Sequence, residues 1–281
     1  MTYTLHRLND VVLRIEARAR LDWQQWFLAA SDVHLDNPHC DRGLLRVHLD
    51  EAVQRDAGIL LLGDTLDLMQ GRDDPRRDGG SMKPQYLLDY VDSVLEDATK
   101  FFFPYRDRIV MISEGNHESA VRKRLGTNPT KRLADALGVQ CMPYSGWLMF
   151  RLVRDEGRRG THNTIRCYYH HGSGGGGPVT RGVIQTNRRA AMVDGAHILL
   201  SGHIHESWAV WTSRAAVNSQ GTPHIIDQLH VSTGTYKNEY QGGEGYHVEK
   251  ERPPNALGGT WVRLWFDGRA HGSIRYEATR A

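Results

Sequence analysis

The apolar residues of this chain come in short runs separated by amphipathic stretches, and their spacing predicts its elements. Leu13, Ile15, Ala17 and Ala19 alternate with Arg14, Glu16, Arg18 and Arg20. That period of two predicts a half-exposed strand, with an arginine-rich surface helix as the competing reading. Trp26 to Ala30 reads as a buried strand. Leu45, Leu49, Ala52 and Val53 fall at helical spacing within 44–57, and Gly58 follows as a stop. Ile59 to Leu62 is a continuous apolar run of strand length. A polar loop over 72–83 leads to a second helical pattern over 86–103, carried by Leu87, Tyr90, Val91, Val94 and Leu95. Ile109 to Ile112 predicts a third strand, followed by a basic, proline-interrupted segment and a short helix over 133–137. Strands are expected over 149–153, 165–169 and 198–200, with a helix over 186–193. The remainder is strand-rich, at 208–211, 224–226, 228–232, 261–266 and 273–276. Early β-α-β alternation followed by late strands fits sheets in the core with helices outside.

The endings of the apolar runs change the picture from fold to chemistry. Five runs lead into Ser31-Asp32-Val33-His34, Gly63-Asp64-Thr65-Leu66-Asp67, Gly115-Asn116-His117-Glu118, His170-His171-Gly172 and Gly202-His203-Ile204-His205. Together they offer carboxylate and amide oxygens and imidazole nitrogens, a donor set suited to divalent first-row cations. None of the five contains a cysteine, so a thiolate-type structural zinc site is not being built. Taken singly, Asp32 and Asp64 also read as helix N-caps. His203 and His205 alternate on one extended segment and so share a face, which a polar sheet edge would also explain.

Composition narrows the class further. The chain has 281 residues, 40% hydrophobic and 24% charged, as in ordinary globular proteins. That length permits one large domain or two small ones. Ligands drawn from Asp32 to His205 must converge, which argues against a boundary between them. The formal net charge of +2 neither demands nor excludes a nucleic-acid partner. Three scattered cysteines imply no disulfide framework. The first ten residues lack the apolar core of a signal peptide, and no apolar run approaches the ~20 residues of a membrane span. A cytoplasmic protein without a membrane partner is the expectation.

The motif series D-x-H, G-D-x-x-D, G-N-H-E, H-G and G-H-x-H, in this order, resembles the calcineurin-like metallophosphoesterase superfamily from about Trp26 to His205. The resemblance implies an α/β fold, a four-layer αββα sandwich of two mixed sheets with the site at the carboxyl ends of the strands. Residues 1–25 would be an N-terminal strand or extension and 26–281 a single metallophosphoesterase domain. It implies two divalent metal ions (Mn, Fe, Zn, Co or Ni), with Asp64 bridging them. Asp32, His34 and His205 would complete one metal, and Asn116, His171 and His203 the other. The ligand stands immediately before the glycine in the fourth motif, which selects His171 and leaves His170 as a supporting histidine. His117 would protonate the leaving oxygen, with Asp67 orienting its ring. Glu118 is expected to support the loop backbone.

Some positions depart from relatives within that superfamily or stay open. Protein Ser/Thr phosphatases continue G-D-x-x-D with Arg-Gly, whereas Leu68-Met69 stand here. Arg72, Arg76 and Arg77 either replace that arginine or form a solvated loop. The glycine-rich stretch 172–178 is either an anion cradle or a plain flexible loop. Tyr236-Lys237-Asn238-Glu239-Tyr240 and the residues to Tyr246 are either a base-stacking surface or an exposed loop. Asp36, Asn37 and His39 either line the site or form a turn. The expected function is hydrolysis of phosphodiester bonds in nucleotides or nucleic acid by a metal-bridging hydroxide. The alternatives are a phosphomonoesterase, protein phosphatases included, and a non-catalytic scaffold on the same fold.

Overall fold

A computed structural model describes residues 3–19, 23–71, 74–75, 77, 86, 89–154, 162–175, 177, 179–240, 246–249, 251, 253–267 and 273–281. The strands are β1 (Tyr3–Asn9), β2 (Val12–Ala19), β3 (Gln24–Ala30), β4 (Gly58–Leu62), β5 (Ile109–Ser113), β6 (Gln140–Met142), β7 (Ser145–Arg154), β8 (His162–His170), β9 (Ile198–Ser201), β10 (Trp208–Val217), β11 (Pro223–Ser232), β12 (Thr260–Asp267) and β13 (Ser273–Arg280). The helices used below are α1 (Arg42–Gln54), α2 (Tyr90–Phe102), α3 (Asn116–Leu125), α4 (Pro129–Leu137) and α5 (Ile184–Met192).

Two mixed sheets form the centre. One has the order β1-β2-β7-β8-β9-β11-β10 and the other β13-β12-β3-β4-β5-β6. β3, β4, β5 and β6 run parallel, as do β8, β9 and β11, so each sheet has a parallel block whose carboxyl ends open at one edge.

Strand alternation divides the apolar side chains between two cores. Phe27, Ala29, Leu60 and Leu62 face Leu148, Phe150, Cys167, Tyr169, Ile198 and Leu200 across the sheet-to-sheet interface. Leu28, Ala30, Ile59 and Leu61 face the other way, against Leu45 and Leu49 of α1, Val94 and Phe102 of α2, and Leu133 of α4. Strands buried on both faces are why these runs read as continuously apolar. On the far side of the larger sheet α5 provides the outer layer, tied to β10 by Arg214 Nη1 donating to Ala190 O at 2.8 Å. The order is helix, sheet, sheet, helix.

The period-two segment near the N-terminus is a strand: β2 pairs in parallel with β7 and sends Leu13, Ile15 and Ala17 into the inter-sheet core. Other elements differ from expectation. Gly58 opens β4 and does not cap α1, which ends at Gln54 with Arg55 as C-cap. The second helix begins at Tyr90, four residues later than its spacing suggested, and Leu87 lies outside the described residues. The basic segment after His117 is the helix α3, and the two short runs at 224–226 and 228–232 form one strand, β11. No described helix is long and apolar enough to cross a membrane.

Candidate metal centre

The motif residues sit where buried parallel strands stop. Asp32 and His34 follow β3, Asp64 and Asp67 follow β4, Asn116 and His117 open α3 just after β5, His171 follows β8, and His203 and His205 follow β9. At these exits the chain turns sharply. Among the described residues nine that are not glycine have positive φ, and five of them are Asp32 (52°), His34 (48°), Asp64 (47°), His203 (74°) and His205 (58°). Left-handed backbone at non-glycine positions costs energy and concentrates at functional sites. It turns these side chains into a common space. Gly63 permits the crowding: at φ 88° a Cβ there would stand 2.6 Å from His171 Nδ1.

The donor atoms converge in three overlapping groups, each within 4.8 Å: Asp32, His34 and His205; His34, Asp64 and His117; Asp64, His171 and His203. Asn116 joins the last, its Oδ1 lying 3.0 Å from His171 Nε2 and 2.8 Å from His203 Nδ1. His170 stays apart, its Nδ1 accepting the Gly172 amide at 2.9 Å.

Hydrogen bonds behind these atoms decide which ring nitrogens face inward. His171 Nδ1 lies 2.9 Å from the Leu62 carbonyl, so it carries a proton and Nε2 is turned to Asp64 Oδ2 at 3.1 Å. His34 Nδ1 lies 2.9 Å from Asp67 Oδ1, which leaves Nε2 of the neutral ring as a lone pair, 3.3 Å from His205 Nε2. A carboxylate behind a histidine in this manner is the usual support of a metal-binding imidazole. Asp32 Oδ2 accepts from Ser31 Oγ at 2.6 Å and from the His203 amide at 2.7 Å. Its Oδ1 faces His205 Nε2 at 3.4 Å.

The electrostatics favour ionised carboxylates. Burial pushes Asp32 upward, but His205 and His171 outweigh it and hold the pKa near 2. Burial is likewise outweighed at Asp64, which His171 and His117 bring well below the ordinary range. Burial is the largest influence at His34 and His203 and lowers both, with His117 acting the same way on His34 and His171 on His203. His171 goes the other way: burial lowers it, Asp64 more than compensates, and its pKa rises to about 10. His171 Nε2 lies between Asp64 Oδ2 and Asn116 Oδ1, at 3.1 and 3.0 Å. Buried carboxylates among inward-facing lone pairs fit divalent cations bound through oxygen and nitrogen.

Surrounding residues hold this arrangement. Glu118 accepts the backbone amides of Asp64, Leu66 and Gly115 at 3.2, 3.0 and 2.9 Å, the backbone support expected of it. Burial and the nearby Asp64 push its pKa up to about 8. Asp36 accepts the amides of Asp67 and Leu68 at 2.6 and 3.0 Å and the Tyr90 hydroxyl at 2.9 Å, so it buttresses the second motif and does not line the site. Asn37 Nδ2 donates to Asp67 Oδ2 at 3.1 Å.

One expected contact is rearranged. The Asp67 carboxylate serves His34, and His117 Nδ1 is held by the backbone carbonyl of Asp67 at 2.5 Å, with Oδ1 3.8 Å away. Asp36 fixes the backbone here by accepting the Asp67 and Leu68 amides, and Leu68 follows with left-handed φ (51°). Neither Asp36 nor Ser31 stood out from the sequence as a support, although both flank the first motif. Among the loop candidates, Tyr236 is fully buried and unavailable for stacking. Arg72, Arg76, Gly176, Pro178 and 241–245 lie outside the described residues.

No protein-family model matches the sequence, and no curated protein matches it. Solved structures give loose likenesses. A conserved uncharacterized protein of Streptococcus pneumoniae, described as a predicted phosphoesterase, is 12% identical, with 92% of this chain and 99% of that chain covered and a TM-score of 0.34. Vps29 of Chaetomium thermophilum is 11% identical over 92% and 95% of the two chains, with a TM-score of 0.34. GAP50, the anchor in the inner membrane complex of Plasmodium, is 10% identical over 92% and 84%, with a TM-score of 0.40. Likeness this loose transfers no role, substrate or partner. The chain's own strand order gives it an α/β fold of two mixed sheets between helices, and its motif residues gather at the carboxyl ends of the parallel strands of both sheets.

Proposed function

We propose that the protein is a phosphoesterase dependent on two divalent metal ions, hydrolysing phosphodiester bonds of nucleotides or nucleic acid. The observation that supports this most is the inward convergence of Asp32, His34, Asp64, Asn116, His171, His203 and His205, with proton-bearing nitrogens of His34 and His171 turned outward to Asp67 and Leu62. In this reading Asp64, which appears in two of the three donor groups, is the shared ligand. Bound ions would supply Lewis-acid polarisation of the phosphoryl group and acidify the attacking water.

The chain's own groups do the rest. His117, at the N-terminus of α3, has Nδ1 fixed on the Asp67 carbonyl and keeps Nε2 for the leaving oxygen as general acid. The His117 amide donates to Asp64 Oδ1 at 2.9 Å, so the positive end of α3 stabilises the shared carboxylate. Asp67 and Asn37 set the His34 ring, and Glu118 fixes the Gly63–Leu66 turn.

The test is a metal-reconstituted assay comparing a bis-aryl phosphate, an aryl monophosphate, cyclic nucleotides and DNA. Turnover of diesters above monoesters is expected, and Asp64→Ala should abolish it together with metal binding. Faster monoester turnover would replace the substrate class. Metal binding without turnover of any ester would favour a scaffold.

A further inference from the structure

Three histidines of the centre hold an acceptor behind the ring in the same way. Behind Nδ1 of His34 stands Asp67 Oδ1 at 2.9 Å, behind Nδ1 of His171 the Leu62 carbonyl at 2.9 Å, and behind Nδ1 of His117 the Asp67 carbonyl at 2.5 Å. His203 differs, since it turns Nδ1 itself inward, 2.8 Å from Asn116 Oδ1. His205 belongs with the first three by geometry. Its Nε2 lies 3.3 Å from His34 Nε2 and 3.4 Å from Asp32 Oδ1, so Nε2 is the atom offered to a cation and Nδ1 is the one behind. A neutral imidazole offers a lone pair at Nε2 only when Nδ1 carries the ring proton, and that proton calls for an acceptor.

The side chain at that place is Asn255, whose Nδ2 lies 3.5 Å from His205 Nδ1. A half-turn of an amide about its soft χ2 exchanges nitrogen and oxygen at the same position, and the hydrogen-bond network decides between them. A proton on Nδ1 selects the oxygen. The backbone beside Asn255 is tied to two motifs. The Ala256 amide donates to the His205 carbonyl at 3.3 Å, the Thr235 amide to the Ala256 carbonyl at 3.0 Å, and the Gly258 amide to the Thr235 carbonyl at 2.8 Å. Thr235 Oγ1 in turn donates to the Asp32 carbonyl at 2.7 Å. Gly234 permits this approach, because a Cβ there would stand 2.1 Å from the Ala256 carbonyl oxygen.

We propose that Asn255 is a positioning residue of the centre, its amide oxygen taking the Nδ1 proton of His205 so that the Nε2 lone pair faces Asp32 and His34. The proposal rests on the metal-dependent reading and adds to it a support from the segment between β11 and β12, outside all five motifs. His34 and His205 serve one donor group, yet a carboxylate backs the first and a neutral amide the second. Losing the partner behind a ligating histidine costs about 10–100-fold in metal affinity, and a neutral partner belongs at the tenfold end.

The test compares wild type, Asn255→Leu and Asn255→Asp by Zn²⁺ titration of the metal-free proteins and by proton NMR of the Zn²⁺-loaded ones. Asn255→Leu keeps the bulk without an acceptor and should weaken one of the two ions by about tenfold. Asn255→Asp restores the acceptor and should recover wild-type affinity or exceed it. The His205 Nδ1 proton should exchange slowly with solvent in wild type and Asn255→Asp, and fast in Asn255→Leu. Equal Zn²⁺ affinity in all three proteins would overturn the proposal, as would equally slow exchange. So would equal losses in both variants with a matching fall in the melting temperature of the metal-free protein, which would make Asn255 a loop brace. A wild type that binds no divalent ion would defeat the metal reading and the proposal with it, whereas ions bound equally by all three defeat the proposal alone.

Discussion

Replacing Asp67 by asparagine tests which histidine its carboxylate serves, His117 as the resemblance implied or His34 as the structure has it. The substitution keeps the backbone carbonyl that lies 2.5 Å from His117 Nδ1, so His117 retains its orientation. It removes the charge that lies 2.9 Å from His34 Nδ1 at a site where both side chains are 2% exposed. It also creates a conflict. Asn37 Nδ2 donates to one Asp67 oxygen and His34 Nδ1 faces the other, whereas an asparagine has one oxygen and must turn its NH₂ on one of the two donors. Loss of such support behind a ligating histidine typically costs about 10–100-fold in metal affinity. That corresponds to about 1.4–2.8 kcal/mol. The assay is a titration of metal-free protein with Mn²⁺ or Zn²⁺, followed by kinetics at saturating metal on an alkyl and a nitrophenyl ester. Weaker metal binding with an unchanged ratio of the two rates is expected. Unchanged affinity together with a loss confined to the alkyl ester would show that the Asp67 carboxylate acts through His117 after all.

Three further outcomes are expected. His117→Gln should keep its metal and lose about 10²–10⁴-fold on an ester with a poor leaving group, and much less on a nitrophenyl ester; equal losses, or a missing ion, would make His117 a ligand beside His34 and Asp64. His171→Ala should lower metal content far more than His170→Ala, and the reverse order on elemental analysis would displace the fourth motif by one residue. Because Asp64 holds His171 protonated up to about pH 10 in the absence of a cation, metal binding at neutral pH should release a proton, and affinity should rise with pH up to that value. Calorimetry in buffers of different ionisation enthalpy reads the release, and a binding heat independent of buffer would refute it.

Much of the centre was legible because its donor residues are adjacent in short motifs and each motif follows an apolar run. The strand pattern told where each run would stop. What stayed hidden depends on φ angles and long-range contacts. The left-handed turn at Leu68 has no signature, since leucine is a poor residue for it, and neither has the pairing of Asp67 with His34, a contact between two motifs. The helix α3 was missed because its apolar stripe is thin: its buried residues are His117, Glu118, Ser119 and Val121, and its C-terminal half is Arg122-Lys123-Arg124. Tyr236 looked like a stacking surface because aromatic residues beside glycine and lysine are common in exposed loops. Its hydroxyl lies 3.0 Å from His48 Nδ1, so it is an internal post of the loop that carries Lys237.

The two sheets contribute to the centre in unequal chain order. Asp32, His34, Asp64 and Asn116 leave the six-stranded sheet, and His171, His203 and His205 leave the seven-stranded one. His34 and His205, whose ring nitrogens end 3.3 Å apart, are 171 residues apart along the chain. Two of the three donor groups draw on both sheets, and the third, His34 with Asp64 and His117, comes from the six-stranded sheet alone. A cation bound among these donors would tie the two sheets together at their open edge.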